Sequence, residues 1–336
     1  MPAVLPPLSI IVLVVLGLLF SFLNGAKDGA NALATMVTSR ATSPIWALVI
    51  GGAAEFSGPF IFGVAVARTI GSGVVDPANV TITVVIAAIL AACAWNLGMW
   101  WLSLPTSSSH ALVGALVGAV LFHSRLDLAV LHVAGLIKIA IGLFAAPLIG
   151  IALAFVVTRA AMLLLRGATR HVNWFFKRCQ LLTTFGLALS FGANDAPKSM
   201  GIITLGLVAA RSLPAFQVPL WVIVAAAVAV TLGTVLGSRR MIRTIGTRFY
   251  RVRPFHAFNS QLASGLIVVF ASLSGSPVST SQVVSSAVAG AGAAERLTKV
   301  RWGVLGEMAW GWLLTIPATM LAGGLVCWLL SAAFGR

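Results

Sequence analysis

A chain of 336 residues with 59% hydrophobic and only 9% charged residues, at a mean hydropathy of +1.03, lies far from soluble domains, where about a quarter of residues are charged. Its net charge of +15 comes from basic clusters placed between apolar runs, which excludes nucleic acid as the natural partner and favours a multi-pass protein of the lipid bilayer. Cys93, Cys179 and Cys327 are scattered, so they read as small core residues and not as a disulfide or metal framework.

The first apolar run, 4–23, is long enough to cross a hydrocarbon core of about 30 Å. It has no basic segment before it, so it reads as a retained helix and not as a cleaved leader. It leads into Gly25-Ala26-Lys27-Asp28-Gly29-Ala30-Asn31, a Gly-rich polar string that predicts a break in the helix. Runs at 44–66, which carries Glu55, at 79–104 and at 128–158 follow. Between the last two lies Leu104-Pro105-Thr106-Ser107-Ser108-Ser109-His110, where proline and hydroxyls predict a helix break with a new helix from near Ala111. A short basic segment (Arg159, Arg166, Arg170, Lys177, Arg178) separates this half from runs at 180–209, 214–237, 257–274 and 303–333. The second half carries Gly192-Ala193-Asn194-Asp195-Ala196-Pro197-Lys198 and Ser276-Pro277-Val278-Ser279-Thr280-Ser281-Gln282, with a new helix expected from near Val283.

The two halves repeat one another in order. The Asp strings match, the Pro/Ser strings match, Arg68-Thr69-Ile70-Gly71 returns as Arg243-Thr244-Ile245-Gly246, and Pro147 returns as Pro317. This tandem pattern divides the chain into a first membrane repeat (1–158), a basic linker (159–178) and a second repeat (179–336). With each Pro/Ser segment counted as one crossing, a half has an odd number and the second half inserts inverted, with both termini outside. Hairpins that enter and leave on one side would change that parity. The inverted arrangement puts Arg40, the linker cluster, Arg239, Arg240, Arg243, Arg248, Arg251, Arg253, Arg296, Lys299 and Arg301 on the cytoplasmic side. Only Arg68, Arg125, Arg211 and Arg336 remain outside, as the positive-inside rule requires. The predicted fold class is therefore all-α: a polytopic membrane protein of two inverted-topology repeats with broken helices and two re-entrant or broken helical hairpins.

A carboxylate inside the membrane costs about 2.5–3.5 kcal/mol on insertion scales, and this chain spends it twice in matching places. Asp28 and Asp195, with the neutral oxygens of Asn31 and Asn194, make either a hard-oxygen cage for a small cation such as Na+ or a pair of proton acceptors. Each Asp can also cap the helix after it. The Pro/Ser strings supply the complement. Helix N-termini present free N–H groups, and Thr106, Ser107, Ser108, Ser109, Ser279, Thr280 and Ser281 add hydroxyl donors, a set fitted to a tetrahedral oxyanion. Lys27 and Lys198 either help to neutralise that anion or pair with the Asp residues. Glu55 holds a helix junction or relays a proton, and Asn24, His110 and Gln282 flank the site as packing groups.

These strings resemble the inorganic phosphate transporter (PiT) family, which includes sulfate permeases. The resemblance lies in Asn24-Gly25-x-x-Asp28-x-Ala30-Asn31, in Gly192-Ala193-Asn194-Asp195 with Lys198, Met200 and Gly201, and in the two Pro/Ser strings, and it spans nearly the whole chain. It implies inverted repeats, two re-entrant hairpins meeting near mid-membrane, phosphate held by the Ser/Thr tips, cation sites at the Asp/Asn strings, and a homodimer. Lys27 departs from the family, which has Asn or His there in many members. The expected function is a secondary symporter of inorganic phosphate, or of sulfate, driven by a sodium or proton gradient across the cell membrane, with no cofactor beyond a bound Na+. An anion channel has little need for paired carboxylates. A membrane hydrolase built on Ser108, His110 and Asp28 lacks a nucleophile elbow, and its repeat has Gln282 in place of the base.

Overall fold

Alternating apolar runs and polar turns fold into twelve α-helices in the computed structural model, which describes residues 7–38, 42–77, 80–102, 106–167, 172–248 and 253–334. Arg40, Leu104, Pro105, Arg170, Arg251 and Arg336 lie outside these residues, as do the side chains of Arg239, Arg240, Arg243 and Arg248. The first half comprises α1 (Pro7–Asn24), α2 (Ala30–Thr38), α3 (Pro44–Phe62), α4 (Ala65–Gly71), α5 (Ile82–Trp101), α6 (Ser108–His123) and α7 (Val133–Leu164). The second comprises α8 (Val172–Ala209), α9 (Leu220–Arg248), α10 (Pro254–Leu273), α11 (Thr280–Glu295) and α12 (Trp302–Phe334). Among the described residues there is no β-strand, only a single bridge between Val75 and Leu131. Among the described residues seven helical segments are long and apolar enough to cross a membrane, and side chains such as Leu8, Ile11, Val15, Leu148, Leu321 and Trp328 turn outward from them, as a lipid-facing surface requires.

Local signals place the helix starts. Ser43 and Thr81 cap α3 and α5 through hydrogen bonds from Trp46 N and Val84 N, and Pro44 opens α3 at a position where its missing N–H costs nothing. α6 and α11 start at Ser108 and Thr280, three residues earlier than the apolar runs predict, because Ser107 and Ser279 take the N-cap positions. The hydroxyls that follow therefore stand on the first helical turn instead of in a loop.

The expected breaks at the two Asp strings are realised unequally. Gly25–Gly29 forms a π-helical turn joining α1 to α2, so the chain stays helical through it. Asp195 lies inside α8 with no break at all, and Pro197 is accommodated within that helix. Neither Asp caps a new helix. The linker is partly helical too: α7 runs to Leu164 and α8 starts at Val172.

The halves interlock through reciprocal pairs. α6 packs along α12 and α11 along α7, α1 meets α9 while α3 meets α8, and α5 and α10 each lie beside their own hairpin helix. The α3–α8 crossing is made by glycine: a Cβ on Gly192 would sit 1.8 Å from the Glu55 carbonyl oxygen, and one on Gly58 would sit 2.4 Å from Ala193 N. The hairpin bases are fixed by contacts at their ends. Val75 bridges Leu131 and His132 N donates to Val74 O at 2.9 Å, which ties the approach to α5 to the entry of α7. In the second half Arg253 lies 3.9 Å from Glu295, and Arg159 near the end of α7 donates to Ala294 O at 3.2 Å.

Candidate functional site

Gly25 and Gly29 explain where the π-turn lies. Each presses against α9, where an added Cβ would fall 1.9 Å from Val230 O and 2.1 Å from Thr234 Oγ1, so the backbone widens where no side chain obstructs it. The turn points its two charged residues apart. Asp28 Oδ2 accepts a hydrogen bond of 2.7 Å from Ser108 Oγ on the first turn of α6. Lys27 Nζ donates to Asn96 Oδ1 on α5 at 2.9 Å. Both side chains are 1% exposed.

The second half builds the matching contact with different neighbours. Thr280 Oγ1 on the first turn of α11 donates to Asp195 Oδ2 at 3.0 Å. Lys198 Nζ donates to Asp195 Oδ1 at 2.6 Å and to Val278 O at 2.9 Å. Asn194 staples the start of the hairpin: its Nδ2 donates to Ser272 Oγ and Ser276 O, and its Oδ1 accepts from Val278 N, each at 3.2 Å. The two tips touch, since Ser109 Oγ donates to Val278 O at 2.9 Å and Gln282 Nε2 lies 3.3 Å from His110 Nδ1. Ser107 caps α6 through His110 N, and Ser279 and Ser281 pair with each other at 3.2 Å.

The sequence-predicted residues thus converge on one buried locus. Asp28, Asp195, Lys198, Ser108, Ser109 and Thr280 are joined directly or through Val278 O, and Asn24 Nδ2 reaches towards Asp195 O. Glu55 stands on the far side of the π-turn, bonded to Thr234 Oγ1, which also reaches Gly25 O at 3.1 Å. Three partners escape sequence reasoning: Asn96, Thr234 and Ser272. Asn96, deep inside the apolar run 79–104, is the one signal that could have exposed the first; Thr234 and Ser272 look like ordinary small polar residues of a membrane helix.

Two chemistries meet here. The first turns of α6 and α11 offer backbone N–H groups and hydroxyls to an anion, with two ammonium groups nearby. Unpartnered carboxylate and amide oxygens are concentrated in the first half. Asn24 Oδ1, Asp28 Oδ1 and Asn31 Oδ1 are buried without a hydrogen-bond partner, which fits a small cation needing hard oxygen ligands. Asn194 and Asp195 already use their oxygens on Val278 N, Lys198 and Thr280. Among the described residues no three His, Cys, Asp or Glu side chains gather as a transition-metal site would require.

Comparison with known proteins agrees with this architecture. The profile of the phosphate transporter family matches residues 24–171 and 164–323, one stretch in each half. A probable low-affinity inorganic phosphate transporter of Bacillus subtilis is 36% identical over 96% of this chain and 98% of its own length. One from Rhizobium meliloti is 36% identical over 93% of this chain and 94% of its own. A solved structure titled "The sodium-dependent phosphate transporter" shares the fold at a TM-score of 0.87 and 24% identity, covering 96% of this chain and 99% of its own. With the family profile matched over residues 24–171 and 164–323, with relatives named as transporters aligned end to end, and with the paired Asp and Ser/Thr strings brought to one buried locus, the chain belongs to the phosphate transporter family.

Proposed function

We propose that the protein is a symporter that carries inorganic phosphate across the cell membrane with a cation, by alternating access. The observation that carries this reading is the double use of the hairpin hydroxyls. Ser108 and Thr280, which stand where an oxyanion would dock on two helix N-termini, spend their protons on Asp28 and Asp195. A positive charge arriving at an Asp competes for its lone pairs and lowers the negative potential at the tips. The hydroxyl is then free to turn to phosphate, so anion and cation each make the other's binding easier. The resulting motion is a rocking of one repeat against the other around the tips.

Inverted topology is supported by the hairpin bases. The first is tied to the start of α7 and the second to its end, the arrangement expected when the hairpins enter from opposite faces. In that frame the linker and the Arg253–Glu295 end are cytoplasmic and both termini are outside. Assembly as a homodimer follows from the family resemblance.

The test is uptake of radiolabelled phosphate into proteoliposomes, with sodium and proton gradients imposed separately and sulfate as competitor. Accumulation above the external concentration is expected under one of the gradients, with loss of that accumulation in Asp28→Asn and Asp195→Asn while both variants still insert. Gradient-independent equilibration would mark a channel. Stronger inhibition by sulfate than by unlabelled phosphate would make sulfate the substrate.

A further inference from the structure

The two carboxylates are held alike through one oxygen and differently through the other. Asp28 and Asp195 occupy matching places in the repeated strings, and each gives Oδ2 to a first-turn hydroxyl, Ser108 or Thr280. Asp195 Oδ1 takes the Lys198 ammonium, which also donates to Val278 O. Asp28 Oδ1 takes nothing. Three residues beyond Asp28, where the second half has Lys198, stands Asn31, and its Oδ1 is unpartnered as well. So is that of Asn24, four residues before Asp28, and all three side chains are at most 1% exposed. Lys27 does not fill this gap, because its Nζ is committed to Asn96.

We propose that Lys198 is a built-in cation of the second half, and that the first half binds one exchangeable cation among Asn24 Oδ1, Asp28 Oδ1 and Asn31 Oδ1, so that each cycle carries a single coupling cation. This rests on the cation-coupled reading given above. An ammonium bonded to a carboxylate oxygen and a backbone carbonyl oxygen supplies the charge and contacts of a bound sodium ion, but it is tethered and cannot leave with the substrate. The first half presents the same carboxylate with the tether removed and neutral amide oxygens in its place. Three buried acceptors without donors, one of them anionic, are costly to leave uncompensated, and a cation is the partner that answers the carboxylate charge and both amide oxygens together. Sodium satisfies all three, whereas a proton on Asp28 Oδ1 satisfies one.

The test is the initial rate of radiolabelled phosphate uptake by the full chain in proteoliposomes, at clamped membrane potential, against external sodium at fixed pH and against pH at fixed sodium. The wild type is expected to show a Hill slope of about one in sodium, and Lys198→Arg should keep it. Lys198→Asn, which copies Asn31, should raise the slope towards two. The reciprocal Asn31→Lys should place a tethered charge in the first half, giving phosphate–phosphate exchange that ignores sodium while gradient-driven accumulation is lost. It decides the matter if Lys198→Asn is inactive. A slope of two in the wild type, an unchanged slope in a transporting Lys198→Asn, or sodium-dependent exchange in Asn31→Lys overturns the assignment, as does coupling to protons with no sodium dependence. Wild-type uptake indifferent to both gradients defeats the coupled-transport reading itself.

Discussion

Replacing Gly192 with alanine puts a methyl group into the α3–α8 crossing. Its Cβ would lie 1.8 Å from Glu55 O, 2.7 Å from Glu55 C and 2.9 Å from Glu55 Cα, and the backbone of α3 cannot rotate away as a side-chain tip could. The helices must separate by more than an ångström. Asp195 is less than one helical turn further on and is bonded to both Lys198 and Thr280, so the separation is delivered to the site. Overpacking of this kind costs about 1–3 kcal/mol of stability. Misplacing reacting groups by about 1 Å costs on the order of 100-fold in enzymes, and a loss of at least about 10-fold is expected in the initial rate of phosphate uptake, normalised to reconstituted protein. Gly186→Ala is the control, since it lies on the same helix with nothing within 4 Å of its added Cβ. Equal uptake and equal melting temperature in Gly192→Ala and wild type, or an equal loss in Gly186→Ala, would refute the reasoning.

Ser108→Ala removes the hydroxyl that turns from Asp28 to the anion; loss of a hydrogen bond to a charged partner is worth about 1.5–3 kcal/mol, so half-saturation by phosphate should rise about 10- to 100-fold in uptake assays and return with Ser108→Thr. Lys198→Met strands the buried Asp195 carboxylate, which should lower stability by about 3–5 kcal/mol; adding Asp195→Asn should recover most of the lost melting temperature, and additive losses would contradict the pairing. At the end of α11, burial pushes the Glu295 carboxyl up, but the hydrogen bond from Lys299 and the charges of His256, Lys299 and Arg253 outweigh it and hold the group below its usual 4.5. A depressed carboxylate contributes stability above its unfolded pKa and loses it as pH falls through the folded value. Glu295→Gln should therefore melt earlier than wild type at pH 7, and the gap should close well below pH 4.5.

The repeated strings made the site legible because charge inside an apolar run is rare enough to mark function, and duplication marked it twice. Asp28, Asp195, Ser108 and Thr280 could be named from sequence for that reason. The helix breaks were harder to place. Glycine permits a break without enforcing one, and at Gly25 and Gly29 the approach of α9 widened the helix to a π-turn, whereas the glycine and proline of the second string were absorbed by packing. Apolar periodicity begins only after the hydroxyls, so it places the helix starts near Ala111 and Val283, three residues later than Ser108 and Thr280 where α6 and α11 begin. Asn96 and Thr234 stayed hidden because a single polar residue in a membrane helix gains meaning only from what faces it, here Lys27 and Glu55.

The reciprocal clasp of α6 by α12 and of α11 by α7 bears on how the protein is made. α6 leaves the ribosome about 180 residues before its partner α12 begins at Trp302. At about 5–20 residues per second, α6 waits on the order of 10–40 s before the helix it packs along exists. During that interval the face of α6 that carries Gly114 and Gly118 lacks the helix that Thr319 and Met320 bring against it, so the first hairpin is finished only when the last helix of the chain arrives.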